Sequence, residues 1–196
     1  MKYAASLVRA ALLCATFLVA SCASPNPQLY TIAPQPGAEL SGTPKVVEVH
    51  SVGVAQYLQR NQIVRSSDGY RVELRSNEWW GEPIEAMLGR VLVEDLAQRL
   101  PHATVFSSSS AINPSPDASV ELQVQRMDLD RDGRLVFIAQ SSVSFKNSPS
   151  TGTRDFRISL PPPSPGAEGQ VASISTAVAQ VSDGIAAMLT RKARSK

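Results

Sequence analysis

Alternating acidic side chains mark the segment 128–133, which reads DLDRDG. Carboxylates at alternate positions followed by a glycine are typical of the opening of a calcium-binding loop. The twelfth position of such a loop supplies a bidentate carboxylate, and in this chain that position is Ala139. Because Asp and Gly are also common turn formers, the favoured interpretation is a polar hairpin turn. No metal site is expected here.

The sequence does not indicate a catalytic or metal-binding histidine. His50 and His102 are the two histidines of the chain, and neither belongs to a recognisable motif. No serine nucleophile motif, no zinc-binding H-E-x-x-H and no glycine-rich phosphate loop is present. The serines gather in loops such as residues 107–110. The sequence predicts a protein that is not an enzyme and has no cofactor. The alternative is a hydrolase that uses a loop serine, which would react with a serine-directed probe.

Cys22 follows a short apolar stretch, residues 10–20, that begins after the basic residues Lys2 and Arg9. This order is the layout of a secretory signal, and the stretch is about half the length needed to span a bilayer as a helix. The preceding residues 18–21, LVAS, resemble the bacterial lipobox, in which the chain is cut before the cysteine and diacylglycerol is attached to it. The alternative is an ordinary signal peptide with a chance cysteine. We expect residues 1–21 to be removed and Cys22 to be lipidated.

Lipidation at Cys22 has consequences for location. Two or three acyl chains give near-permanent attachment, so no spanning helix is needed. In the sorting rule that this motif resembles, Asp after the cysteine favours the inner membrane, so Ala23 points to the outer membrane. Cys14 lies in the predicted signal, which leaves no thiol for a disulfide.

Charge in the mature chain is balanced. Removing the predicted signal takes away two basic residues and no acidic ones, so the 19 Lys and Arg fall to equal the 17 Asp and Glu. Nucleic-acid binding needs clustered cations and is not expected. The one basic cluster is the C-terminal tail, Arg191, Lys192, Arg194 and Lys196. A solvated helix end is favoured there over a contact with lipid headgroups.

Hydrophobic periodicity predicts the elements that follow the anchor. Residues 22–44 are rich in Pro, Gly and Ser and predict a lipidated tether with one strand-like docking patch at residues 28–32. Residues 45–192 predict a single domain. Its predicted strands lie at residues 45–52, 63–64, 70–74, 120–124, 135–145 and 156–160, with an Asp-Gly hairpin signal at residues 68–69.

Two amphipathic helices are predicted, one from Pro83 to Leu100 and one from about Val171 to Arg191, because apolar residues recur there at spacings of three and four. In the first helix the polar positions include Arg90, Glu94 and Arg99. The order of strands, helix, strands and helix predicts an α+β fold, with two helices packed on one face of a mostly antiparallel sheet.

Aromatic and basic residues supply the candidate partner interface. Trp79 and Trp80 stand just before the first helix, and packing is favoured for at least one ring, with the other left as a candidate interface anchor. Tyr57, Leu58 and Arg60 lie between the first two strands and are added as interface candidates. A plain surface charge is the alternative for Arg60.

Three patches together resemble a known family: LYTI at residues 29–32, YLQR at 57–60 with QIVR at 62–65, and WWGEPI at 79–84. The chain is similar to the ABC-type transport auxiliary lipoproteins, the PqiC/YmbA-like family, over residues 22–100 and more weakly beyond. It departs from them at Gln59, where members often carry an acidic residue, and at Trp79-Trp80, where they often have one tryptophan followed by a small residue.

The resemblance implies an outer-membrane lipoprotein facing the periplasm. It implies a non-catalytic accessory subunit that works with an MCE-domain membrane protein and an inner-membrane transport component in moving lipid between membranes. It also implies a homo-oligomer. The alternative from another class is a free-standing periplasmic carrier of lipid or a small ligand, which should copurify with its ligand.

Overall fold

The computed structural model describes residues 26–42, 44–67, 70–112 and 114–193, with side chains left out for 149–150 and 191–193. The predicted signal at residues 1–21, the lipidation site Cys22 and the Asp-Gly pair at 68–69 lie outside the described residues. The side chains of the basic tail, from Arg191 to Lys196, lie outside them too.

Eight strands and two helices make up the described part of the chain. The strands are β1 (Gln28–Tyr30), β2 (Val46–Val54), β3 (Gln62–Ser66), β4 (Glu73–Trp80), β5 (Thr104–Ser107), β6 (Ala118–Leu129), β7 (Leu135–Phe145) and β8 (Ser148–Leu160). The helices are α1 (Ile84–Arg99) and α2 (Gly166–Ala193). A short 3-10 turn, Gln56–Leu58, follows β2. The α+β class is confirmed.

All eight strands belong to one sheet with two parts. The larger part has the order β5-β2-β6-β7-β8, and the smaller part, β1-β4-β3, joins it where Ser66 of β3 pairs with Leu129 of β6. The long ladders β6–β7 and β7–β8 are antiparallel, whereas β2 is parallel to both β5 and β6. The sheet is therefore mixed. The chain returns from β2 to β5 through α1, and a crossover through a helix gives parallel neighbours.

Both helices cover the same face of the sheet. In β6 the side chains of Val120, Leu122 and Val124 are buried and alternate with the exposed side chains of Glu121 and Gln123. Helix α1 packs on β2 and β5, α2 packs on β6, β7 and β8, and the helices contact each other. The opposite face of β6 is exposed and polar, as expected for a sheet covered on one side.

Helix boundaries follow local chemistry. Pro83 is the N-cap residue of α1 and Pro101 follows its end, which confirms the predicted boundaries within a residue or two. Helix α2 begins at Gly166, with φ of +90°, five residues before the predicted start. Residues 166–170, GAEGQ, lack the large apolar side chains that make a helical stripe visible in a sequence.

Helix α2 is long and apolar enough over residues Gly166–Thr190 to span a bilayer. However, 67% of its most apolar stretch is buried inside the fold, so it is a core helix.

The acidic segment 128–133 ends β6 with its first two residues and forms the hairpin turn to β7 with the rest. The Asp130 carboxylate accepts hydrogen bonds from the backbone N–H groups of Asp132 (3.0 Å) and Arg134 (2.9 Å). Gly133 adopts φ of +73°, which only glycine reaches without strain. The turn interpretation of this segment is confirmed.

Residues 26–42, which we call the N-terminal strap, lie along the domain. β1 pairs with β4, and Ile32 is buried at 1% exposure. Farther along, Gly37 N–H donates to the Gln98 side chain (2.9 Å), and Leu40 N–H donates to the Arg99 carbonyl (2.7 Å). The strap is thus fixed to α1 by backbone hydrogen bonds as well as by an apolar contact.

A buried charged cluster joins the strap to both helices. Arg99 is 1% exposed and donates to the carbonyls of Gln35 (3.0 Å) and Ala179 (3.2 Å) and to the Asp183 carboxylate (2.6 Å). Asp95, also 1% exposed, lies 3.7 Å from the Arg99 guanidinium. The sequence pattern assigned Arg99 to the polar side of α1, but the strap and α2 cover that side.

Burial raises the pKa of the Asp95 carboxyl above its ordinary value. The Gln35 N–H, the Ser182 hydroxyl and the Arg99 charge oppose the shift without cancelling it. A raised folded-state pKa means that the folded protein holds this proton more tightly than the unfolded chain. The contribution of Asp95 to stability is therefore full below the unfolded pKa and is lost as pH rises through the folded pKa.

Replacing Gly184 with alanine should destabilise the protein by about 1–3 kcal/mol, because a Cβ there would lie 2.4 Å from the Phe156 ring. The matched control is Gly89→Ala in α1, where the nearest atom, in Val52, is 3.8 Å away. Alanine favours helices over glycine, so this control should gain up to about 1 kcal/mol. Urea unfolding of both variants should show a lower free energy of unfolding for Gly184→Ala and a higher one for Gly89→Ala. A stabilised Gly184→Ala variant would contradict the close packing of α2 on β8.

Candidate functional site

The five interface residues expected from the sequence lie on two segments, 57–60 and 79–80, and the chain just after the first segment pairs with the second. The backbone N–H of Trp80 donates to the carbonyl of Asn61 (2.7 Å), next to Arg60, and Trp79 pairs in register with Gln62. Turn and strand are therefore held side by side by backbone contacts.

The 3-10 turn displays its residues unequally. Leu58 is 2% exposed and belongs to the core. Arg60 is exposed, and its Nε donates to the Tyr57 carbonyl (3.1 Å), which holds the guanidinium at the surface. Tyr57 is half-buried, with its hydroxyl directed inward. Arg60 and the outer part of Tyr57 are the parts of this turn that a partner could contact.

Asp128 organises the interior beneath this turn. Its carboxylate is fully buried and accepts hydrogen bonds from the hydroxyls of Tyr57 (2.7 Å) and Ser67 (2.6 Å) and from Arg126 Nε (3.0 Å). A buried carboxylate needs such donors, because it has lost its hydration. Burial, followed by the hydrogen bond to Asp128, raises the pKa of Tyr57 to about 12.

Replacing Tyr57 with phenylalanine should cost about 1.5–3 kcal/mol of stability, because a buried carboxylate loses one donor. Tyr30→Phe is the matched control, since the Tyr30 hydroxyl donates only to the exposed Gln28 side chain (3.0 Å) and should change stability by less than about 0.5 kcal/mol.

The same pair of variants also tests the Tyr57 pKa. In an alkaline titration of tyrosinate absorbance, the component near pH 12 should disappear in Tyr57→Phe alone. The stability that this raised pKa contributes is present below the ordinary tyrosine pKa and is lost as pH rises toward the folded value. A titration without a late component would contradict the buried hydrogen bond.

The two tryptophans differ in exposure. Trp80 is 7% exposed and belongs to the core, which agrees with packing of at least one ring. Trp79 is half-buried, and its indole N–H is buried without a hydrogen-bond acceptor among the described residues. An unpaired buried donor costs about 1–3 kcal/mol. A partner could reach only the part of the Trp79 side chain that stays exposed. We call Tyr57, Arg60 and Trp79 the junction surface.

An open groove lies along the N-terminal part of α1, between that helix, strand β2 and the edge strand β5. Its volume is about 690 Å³, and much of its wall is apolar, including Val52, Val93, Val105 and Ile112. Arg90 lies on its rim, where it contacts Glu82 (2.7 Å) and Glu94 (3.3 Å). No local sequence pattern indicates this groove, because its walls come from three separate segments.

The groove also contains His50 and the serine loop 107–110. His50 Nδ1 lies 3.4 Å from Glu48, whereas Ser108 Oγ donates to the His50 carbonyl (2.6 Å). The hydroxyls of Ser107 and Ser109 bond to each other (2.9 Å). These contacts tie the serines to backbone and to one another. A nucleophilic serine needs a base that accepts its proton, and these hydrogen bonds supply none.

Comparison with protein families gives a match to the ABC-type transport auxiliary lipoprotein component over residues 30–186. A search of curated proteins found no match. The match begins at Tyr30 in β1 and ends at Ala186 in α2, so it includes most of the strap, strands β2 to β8, all of α1 and most of α2.

Two solved structures share the fold. One, titled as an uncharacterised protein, has a TM-score of 0.70 and 20% identity, with 84% of this chain and 99% of that chain covered. The other, from Xanthomonas campestris and titled as a DUF330 protein, has a TM-score of 0.69 and 16% identity, with 86% and 98% covered. With the family match over most of its length, the chain belongs to the ABC-type transport auxiliary lipoprotein family.

Proposed function

We propose that this protein is a non-enzymatic accessory subunit of an MCE-type intermembrane lipid-transport system, anchored by lipid on Cys22 to the periplasmic face of the outer membrane. The observation that carries the proposal is the family match over residues 30–186 in a chain whose N-terminus has a lipobox. The family description links such lipoproteins to ABC-type transport systems. Its partners would be an MCE-domain membrane protein and the inner-membrane component of the transporter.

A binding role agrees with the chemistry of the described residues. The buried charges at Asp95, Arg99 and Asp128 are engaged in hydrogen bonds that hold the fold together. The junction surface instead offers a half-buried tryptophan, a half-buried tyrosine and an exposed guanidinium, and such residue types are enriched among the hot spots of protein interfaces. We propose this surface as the contact with the MCE-domain protein.

Self-association is part of the proposal. β5 and β8 lie at opposite ends of the larger part of the sheet, and each pairs on one side only within the described residues. The β5 edge of one subunit could therefore pair with the β8 edge of the next, which is a head-to-tail contact. Repeated head-to-tail contacts close into a ring when the rotation between neighbouring subunits divides a full turn evenly. The homo-oligomer would then be a ring.

Crosslinking of the intact lipoprotein in its native envelope tests this function. A photoreactive residue at Arg60 should capture an MCE-domain protein, and general crosslinking should give a ladder of self-linked species. A photoreactive residue at Ile112, which is 69% exposed in the groove, is the matched control and should not capture that partner. A monomer without an MCE or transporter partner would overturn the proposal.

Trp79→Ala should reduce the Arg60 crosslink to the MCE-domain protein roughly tenfold or more, as expected for an aromatic hot spot worth at least 2 kcal/mol. Ile112→Ala should leave that crosslink unchanged. Urea unfolding of both variants shows whether each one is folded, so a lost crosslink can be assigned to lost partner contact or to unfolding. An unchanged crosslink in a folded Trp79→Ala variant would remove Trp79 from the interface.

A second function, a free-standing carrier of lipid or a small ligand, is favoured by the groove of about 690 Å³ with its apolar wall. Its volume lies in the range of small-molecule sites. A carrier should retain its ligand during gentle purification, so mass spectrometry under native conditions should show a bound mass that is lost when Val93 is replaced with a charged residue. Protein without bound lipid would remove this alternative.

A further inference from the structure

Exposed apolar side chains lie together at the start of β4. Of the five exposed large apolar or aromatic residues in the described part of the chain, three are Tyr70 (108% exposed), Val72 (47%) and Leu74 (38%). Leu29 pairs in register with Trp79 at the other end of β4, and Ile112 lies in the groove. Large exposed apolar residues that cluster mark contact sites. We call Tyr70, Val72 and Leu74 the apolar tip.

The parallel pairing of β1 with β4 sets the direction in which the chain leaves this sheet. Gln28 pairs with Glu78, and the Asn77 side chain donates to the Asn26 carbonyl (3.1 Å). Because the two strands are parallel, the residues that precede β1 leave the sheet at the same end as the residues that precede β4. Those that precede β4 include Tyr70 and Val72. From its position beside Asn77, the chain at Asn26 is therefore directed toward the apolar tip.

Chain length limits how far the anchor can be from this end. Three residues, 23–25, stand between Cys22 and Asn26, so four Cα–Cα steps join the two. An extended chain advances at most about 3.3–3.6 Å per residue, so Cys22 can lie no more than about 14 Å from Asn26. Since the strap is fixed to the domain from residue 26 onward, an acyl group on Cys22 brings this end of the sheet close to the bilayer.

Charged groups at the tip suit a membrane surface. Arg65, 59% exposed in its side chain, pairs with Glu73 (2.9 Å), and Arg71 is exposed between Tyr70 and Val72. Long arginine side chains can bury their stems while the guanidinium stays among headgroups. Tyrosine is enriched at the membrane interface because its ring is apolar and its hydroxyl is polar.

We propose that the apolar tip inserts into the headgroup region of the bilayer that holds the Cys22 acyl chains, and so fixes the orientation of the domain on that membrane. This inference rests on the proposed lipidation of Cys22. The tip adds a second contact beside the lipid anchor, and the junction surface and the groove are then held at set heights above the bilayer.

Site-specific fluorescence quenching tests the proposal on the full-length lipoprotein, reconstituted into vesicles of phosphatidylethanolamine and phosphatidylglycerol. The predicted mature chain contains no cysteine besides Cys22, so Tyr70→Cys and Val72→Cys each supply a single labelling site. Labels there should be quenched by nitroxide lipids and be several-fold less quenched by aqueous iodide than a label at Ile112→Cys.

The control position lies far from the tip. Ser66, which precedes the tip, pairs with Leu129 at one end of β6, whereas the loop containing Ile112 leads into the other end at Ala118. Equal iodide quenching at all three positions would overturn the proposal. Protection from iodide without quenching by nitroxide lipids would also overturn it, because a protein surface would then cover the tip.

Mass spectrometry of the N-terminal peptide reports separately whether Cys22 is acylated. Acylated protein with an iodide-accessible tip would overturn the orientation proposal and leave the anchor standing. Protein without acylation would overturn the proposed lipid anchor. If labels at the tip of that protein were also not quenched by nitroxide lipids, the orientation proposal would be overturned as well.

Discussion

Replacing Arg99 with methionine should lower the free energy of unfolding by about 3–5 kcal/mol, because removing one partner leaves a buried charge without compensation. Arg99 is 1% exposed and links the strap, α1 and α2 through Gln35, Asp183 and the carbonyl of Ala179. The variant would leave the Asp95 carboxylate buried without its nearby cation. Urea unfolding at neutral pH measures the loss.

Two controls separate the buried charge from charge in general. Arg90→Met removes an arginine that pairs with Glu82 and Glu94 at the surface, and exposed pairs contribute about 1 kcal/mol or less. Combining Arg99→Met with Asp95→Asn removes both members of the buried pair and should recover part of the lost stability. If Arg99→Met and Arg90→Met were equally stable, the strap would not depend on the buried cluster.

Replacing Cys22 with alanine should move the protein from the membrane fraction to the soluble periplasmic fraction almost completely. Each buried methylene of an acyl chain contributes about 0.8 kcal/mol, so two or three chains hold a protein far more strongly than the apolar tip can. Fractionation followed by immunoblotting measures the distribution, and the loss of the acylated N-terminal peptide in mass spectrometry confirms the cause.

Cys14→Ala is the matched control, because Cys14 lies within the predicted signal and would be absent from the mature chain. It should leave fractionation and acylation unchanged. A Cys22→Ala protein that stays in the membrane fraction and resists salt extraction would show that another part of the chain anchors it. The lipidation of Cys22, and with it the proposed location, would then be wrong.

Much of the fold could be predicted from local patterns. Helix α1 was predicted from its stripe of apolar residues between Pro83 and Pro101, and the β6–β7 hairpin from alternation on both sides of a turn that ends in Gly133. In these elements the local preference and the tertiary environment agree. Parallel pairing of β2 with β5 and β6 could not be predicted, because it depends on where the chain returns after a long connection.

For the candidate site, the sequence nominated Tyr57, Leu58, Arg60, Trp79 and Trp80 as interface residues but did not distinguish surface from core. Leu58 and Trp80 look no different from their neighbours in the sequence, yet both are buried. Exposure is decided by which other segments cover a side chain, and for Trp80 those segments are distant in the chain.

The sequence by itself determined the elements, the expected lipid attachment at Cys22 and the balance of charge, because each depends on a few neighbouring residues. Only the tertiary structure decided that Arg99 and Asp95 are buried, since the strap and α2 come from opposite ends of the chain to cover them. Likewise, only the parallel pairing of β1 with β4 directs the chain before Gln28 toward the end of the sheet that carries Val72 and Leu74. Contacts between distant segments carry no local signal, so their consequences appear only in the folded molecule.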